Sequence, residues 1–133
     1  MARAYTVGTV ALALATTTKW VDNIFSHNKV AGVVQKRQGV SRKVSFEGLL
    51  QLALGLTLIK DLDIPAASAL RLAATLAETG GHHRTPAGIG IDLDLARIRA
   101  DLETRIAQAV EIVPVPRRGR PPRLPSSKTG RLD

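Results

Sequence analysis

The chain has 133 residues, 44% of them hydrophobic, which supports one modest domain and an extra segment. Its formal net charge of +8 points to a polyanionic partner. Cysteine is absent, which excludes disulfides and a thiolate site for soft metals and fits a reducing cytoplasm.

The charge is uneven. Residues 1–45 carry seven cations and one anion, residues 46–113 six cations and nine anions, and residues 114–133 six cations and one anion. Two basic ends therefore flank a mildly acidic middle. The start, Met1-Ala2-Arg3-Ala4, is read as loose. The apolar run Val7–Ala15 behind Arg3 imitates a signal peptide. It is too short to span a bilayer, which needs roughly 20 residues, and Thr16-Thr17-Thr18-Lys19-Trp20 follows in place of a cleavage site. No membrane partner is expected.

Val7, Val10, Ala11 and Leu14 recur at helical spacing, with Thr6 as N-cap. Ala15-Thr16-Thr17 reads as a tight turn, with Thr16 or Thr17 capping a second helix. In that helix Val21, Ile24 and Phe25 fall on one side. Thr18, Lys19, Asp22, Asn23 and Ser26 fall on the other, a short polar surface rich in hydrogen-bonding groups. Such a surface suits a DNA major groove, where base edges are read by donors and acceptors. Two β-branched runs, Val30–Val34 and Val40–Val44, flank the tip Gln35-Lys36-Arg37-Gln38-Gly39 and predict a hairpin. Lys36, Arg37, Arg42 and Lys43 make it basic, fit to hold phosphates beside the groove.

Ser45 caps a helix predicted over 46–62. Leu49, Leu50, Leu52, Leu54, Leu56, Leu58, Ile59 and Leu62 cover nearly its whole circumference, so it is expected to be the core helix and to face a second subunit. Pro65 is placed at N1 of the next helix, which runs to Glu78 with Ala69, Leu70, Leu72, Ala73 and Leu76 inward.

At this point a resemblance becomes specific. Tyr5-Thr6-Val7-Gly8, the helix from Thr16 to Phe25, and Arg42-Lys43-Val44-Ser45-Phe46-Glu47-Gly48-Leu49 resemble the DNA-binding region of MerR-type winged helix-turn-helix proteins. Phage excisionases share that fold. The likeness covers about residues 5–76 and rests on element order and apolar spacing. It implies a recognition helix in the major groove, a wing on the backbone, and a homodimer on a two-fold site. Two features depart from it. The family carries an arginine and aromatic pair in the recognition helix, where this chain has Val21, Asp22 and Asn23, and a long dimerising coiled coil is not obvious.

Residues 79–88, rich in Gly and Pro, read as a linker. His82 and His83, with Asp92 and Asp94 nearby, raise a metal site, but no further ligand sits at a metal-like spacing, and none is expected. Residues 89–113 read as a short strand followed by a helix. Leu95, Ile98, Leu102, Ile106, Ala109 and Val113 form a narrow stripe, which either folds back onto its own domain or, the preferred reading, pairs with its counterpart as a two-helix dimer seam. The tail, 114–133, is too rich in Pro and Arg to build a core and is expected to be disordered alone. Within it, Arg117-Arg118-Gly119-Arg120-Pro121 resembles an AT-hook. Glycine lets the backbone lie on the floor of a narrow minor groove, and the arginines reach along it where A·T-rich sequence concentrates negative potential.

The expected fold is mainly α. It is a winged helix-turn-helix over residues 1–78 with a small β-hairpin wing, an additional C-terminal helix and a disordered basic tail. The expected function is sequence-selective binding of double-stranded DNA by a small bacterial-type transcriptional regulator, cytoplasmic and nucleoid-associated, without a cofactor. The DNA-binding residues are expected to be Thr17, Thr18, Lys19, Trp20, Asn23, Lys36, Arg37, Arg42, Lys43, Arg117, Arg118, Gly119, Arg120 and Pro121. Two alternatives stay open: an excisionase-like DNA-bending factor, and a protein-interaction adaptor localised by its basic segments. No phosphate-binding glycine loop or nucleophile–base set recommends an enzyme.

Overall fold

The computed structural model of the chain describes residues 4–35 and 42–112, with the backbone alone for Glu111 and Ile112. The order is β1 (Ala4–Thr6), α1 (Val7–Ala13), α2 (Thr18–His27), β2 (Val33–Val34), β3 (Lys43–Ser45), α3 (Phe46–Leu62), α4 (Ala66–Glu78), β4 (His82–Arg84), β5 (Gly90–Asp92) and α5 (Leu95–Ile112). Helix dominates, as expected. No helix among the described residues is long and apolar enough to cross a membrane.

Three helices start on hydroxyl caps. Thr6 Oγ1 accepts from Thr9 N at 3.2 Å, Thr17 Oγ1 from Trp20 N at 3.0 Å, and Ser45 Oγ from Gly48 N at 3.2 Å. Each satisfies an amide that the helix itself cannot pair. The end of α1 is also built locally. Thr16 N donates to Ala11 O and Ala15 N to Leu12 O, with Ala15 left-handed at φ 56°. This closure reverses the chain within a few residues and brings α2 across α1. Pro65 is the N-cap of α4, one position earlier than the predicted N1, and its carbonyl accepts from Ala69 N at 2.8 Å.

Strands β1 and β2 flank β3, both antiparallel to it, with Tyr5 and Val33 each opposite Val44. The segment read as loose is thus ordered from Ala4 onward, as an edge strand. Val44 is fully buried, which ties this sheet to the core. Gly32, with φ 81°, makes the turn from α2 into β2, and its carbonyl accepts from Ser45 N at 2.8 Å.

One continuous core joins the helices. Leu49, Leu50, Leu52, Leu54 and Leu58 of α3 pack with Val10 and Leu14, Val21 and Ile24, and Ala69, Leu70, Ala73 and Leu76. Gly55 lets Leu70 approach, since a Cβ there would lie 2.8 Å from Leu70 Cδ2. Gln51, itself buried, donates from Nε2 to Leu70 O at 3.0 Å and fixes α4 against α3. The cover for α3 thus comes from within the chain. Leu62, at its end, is exposed.

Two organisational expectations change. Residues 79–88 are not a free connection: β4 pairs with β5, placing His82 opposite Asp92 and Arg84 opposite Gly90. The alternation around residue 91 does mark a strand, but its partner lies in the stretch read as linker. Helix α5 does not present its stripe outward. Leu102, Ile106 and Ala109 are buried, and α5 packs chiefly on α1. Arg99 reinforces this docking at the α3 start, 5.4 Å from the Phe46 ring centroid and 3.3 Å from Glu47 Oε2. The apolar stripe expected to join two chains is occupied within one.

Candidate nucleic-acid interface

Helix α2 is divided as its periodicity requires. Val21 and Ile24 are buried against the core. Thr18, Lys19, Asp22, Asn23 and Ser26 are exposed. Thr18, Lys19 and Asn23 make no side-chain hydrogen bond or ion pair among the described residues, so their polar groups are free to meet a ligand. Thr17 is exposed, and its hydroxyl is engaged as the cap of α2. Trp20 differs from expectation. It is half-buried and packs against the core, because position 20 lies on the flank of α2 next to Val21 and Ile24. Its main role here is packing.

The root of the basic hairpin is keyed to this helix. Arg42 donates from Nη1 to Asp22 Oδ1 at 2.9 Å and from Nη2 to Ser26 Oγ at 3.2 Å. Its side chain is only 19% exposed, against 54% for Asp22. Two consequences follow. The Arg42 charge offsets Asp22, whose carboxylate would otherwise repel phosphate from the exposed face of α2. The fork also fixes the start of β3 beside α2, so Arg42 acts as a positioning residue rather than as a free cation. Sequence alone gave no sign of this pairing, since it joins residues 20 apart through the geometry of the hairpin.

Lys43, next along β3, is exposed. Lys36 and Arg37 at the hairpin tip lie outside the described residues. So do Arg117, Arg118, Gly119, Arg120 and Pro121. Arg105, Gln108 and Ala109 line a shallow cavity of about 250 Å³ together with Leu12, Ala13 and Ala15. The carboxyl end of α5 therefore lies beside the α1–α2 turn.

In the β4–β5 hairpin, His82 Nδ1 and Asp92 Oδ1 are 2.6 Å apart, and both side chains are exposed. Among the described residues no three His, Cys, Asp or Glu side chains converge as a metal site would require.

The sequence matches no protein-family model, no curated protein and no solved structure.

Proposed function

We propose that the chain binds double-stranded DNA sequence-selectively as a winged helix-turn-helix protein, acting as a small transcriptional regulator. In this reading α1 and α2 form the helix-turn-helix, and α2 enters the major groove. The hairpin from β2 to β3 is the wing. The observation that carries the reading is the exposed, unpartnered ridge of Thr18, Lys19 and Asn23, with the basic hairpin anchored beside it through Arg42. A side-chain amide such as that of Asn23 can donate and accept in one plane, which matches the N6 and N7 edge of adenine. Lys43, with Lys36 and Arg37, would hold the backbone and fix register.

Asn23→Ala tests the base contact. In a selection from random duplexes, the unsubstituted chain is expected to enrich a common sequence. Asn23→Ala is expected to flatten that preference at one or two positions, each by about 1–3 kcal/mol. An unchanged preference would remove α2 from the reading.

The tail is the second module. Arg118 follows the end of α5 by six residues, a contour of at most about 20 Å. The packing of Arg105, Gln108 and Ala109 beside the α1–α2 turn supports a contact in a minor groove next to the site of α2. Tethering then raises the local concentration of the second contact. Arg120→Ala is expected to weaken binding to A·T-flanked sites more than to G·C-flanked sites, measured by fluorescence anisotropy. Equal loss on both would reduce the tail to simple charge. Pairing of two chains on a two-fold site, implied by the MerR resemblance, would use the DNA and surfaces other than the buried stripe of α5.

A further inference from the structure

We infer that the cleft between the carboxyl end of α2 and α4 is a second phosphate site, which takes a phosphodiester of the DNA strand across the groove from the wing. The inference rests on the reading of α2 as the groove helix, and it deepens that reading by assigning a contact to the other flank. The cleft holds about 470 Å³ and is lined by His27, Asn28, Lys29, Gln51, Leu70 and Arg71, with two alanines. No carboxylate lines it.

Helical geometry puts it on the required side. At 100° per residue, His27 lies about 140° around α2 from Asp22, and Asp22 faces the wing through Arg42. The exposed face with Lys19, Asn23 and Ser26 therefore lies between the paired Arg42 and Asp22 at the root of the wing on one side, and the cations Lys29 and Arg71 on the other.

The cations of the cleft are available. Lys29 and Arg71 are exposed, and neither has a carboxylate partner among the described residues. Among the described residues Arg71 donates only from Nη2 to Ser68 Oγ, at 3.3 Å within its own helix. His27 Nδ1 lies 2.9 Å from Asn23 O and donates to it, which leaves Nε2 unengaged. The floor is anchored by the Gln51 bond to Leu70 O, which holds the α4 backbone one residue before Arg71. An open cleft with two unpaired cations and no acid suits a phosphate that stays partly hydrated. In the sequence neither residue stands out, since Lys29 follows α2 and Arg71 lies on a helix marked only by its apolar face.

The test is the double variant Lys29→Gln/Arg71→Gln in the full chain, titrated by anisotropy against a selected duplex over a series of salt concentrations. Circular dichroism confirms its folding. Each phosphate contact contributes close to one unit to the slope of log K against log salt, so loss of the single phosphodiester in the cleft is expected to make the slope shallower by about 1. Affinity at low salt should fall at least tenfold, while the selected sequence stays the same. An unchanged slope, with the unsubstituted chain binding normally, overturns the cleft assignment alone. A changed selected sequence also overturns it, because a phosphate contact reads no bases. Failure of the unsubstituted chain to bind any duplex overturns the α2 reading and this inference with it.

Discussion

Gly32→Ala is expected to lower the stability of the chain by about 3 kcal/mol, from two causes that act at one position. Gly32 has φ 81°, which an L side chain adopts only under strain. A Cβ there would also overlap Ser45 Oγ and lie 3.1 Å from Gly48 N. That hydroxyl is the N-cap of α3, so moving it breaks the bond to the Gly48 amide. Backbone strain of about 1 kcal/mol and a lost cap of about 1 kcal/mol leave the remainder to displacement of packed atoms. Gly80→Ala is the control: its φ is 75°, but no atom lies within 4 Å of the added Cβ. It should show the strain alone. Denaturant unfolding of both variants decides the matter, and equal losses would contradict the packed turn. Because Ser45 also ends β3, Gly32→Ala should loosen the seat of the wing and weaken DNA binding in proportion.

Leu102→Ala and Ile106→Ala are each expected to cost about 3 kcal/mol, because each empties a buried site between α5 and its own domain. Leu102 is 3% exposed and Ile106 4%, so neither site can relax into solvent. The loss should be independent of protein concentration, and sedimentation should give the same mass before and after substitution. A seam between two chains would behave differently: the mass would fall, and the melting temperature would shift with concentration. That outcome would restore α5 as a dimer helix.

These cases show which features the sequence made legible. Thr6 and Ser45 could be read as caps, and the cap of α2 narrowed to Thr16 or Thr17, because a cap is a contact over three residues and needs no knowledge of the fold. The faces of α2 could be read because Val21 and Ile24 recur at helical spacing with polar residues between them. The stripe of α5 could be seen, but its partner could not. Leu102, Ile106 and Ala109 demand an apolar surface, and the pattern is the same whether α1 or a second chain supplies it. β1 escaped notice because three residues carry too little alternation to mark a strand. Its pairing with β3 depends on tertiary placement. The role of Arg42 was hidden for a related reason: a cation on a basic hairpin looks the same whether it meets a phosphate or Asp22. Trp20 follows Lys19 directly, but the helix turns it toward the core.

Because the chain has no cysteine, a single introduced thiol can report whether α2 lies against bases. A single Asn23→Cys variant can carry one photo-cross-linking group, and Thr104→Cys, exposed on the face of α5 turned away from Leu102 and Ile106, can carry the same group. On a selected duplex, position 23 is expected to cross-link to bases at one defined place in the site, and position 104 to give no cross-link. Equal yields from the two positions, or none from position 23 while the duplex is bound, would contradict the account.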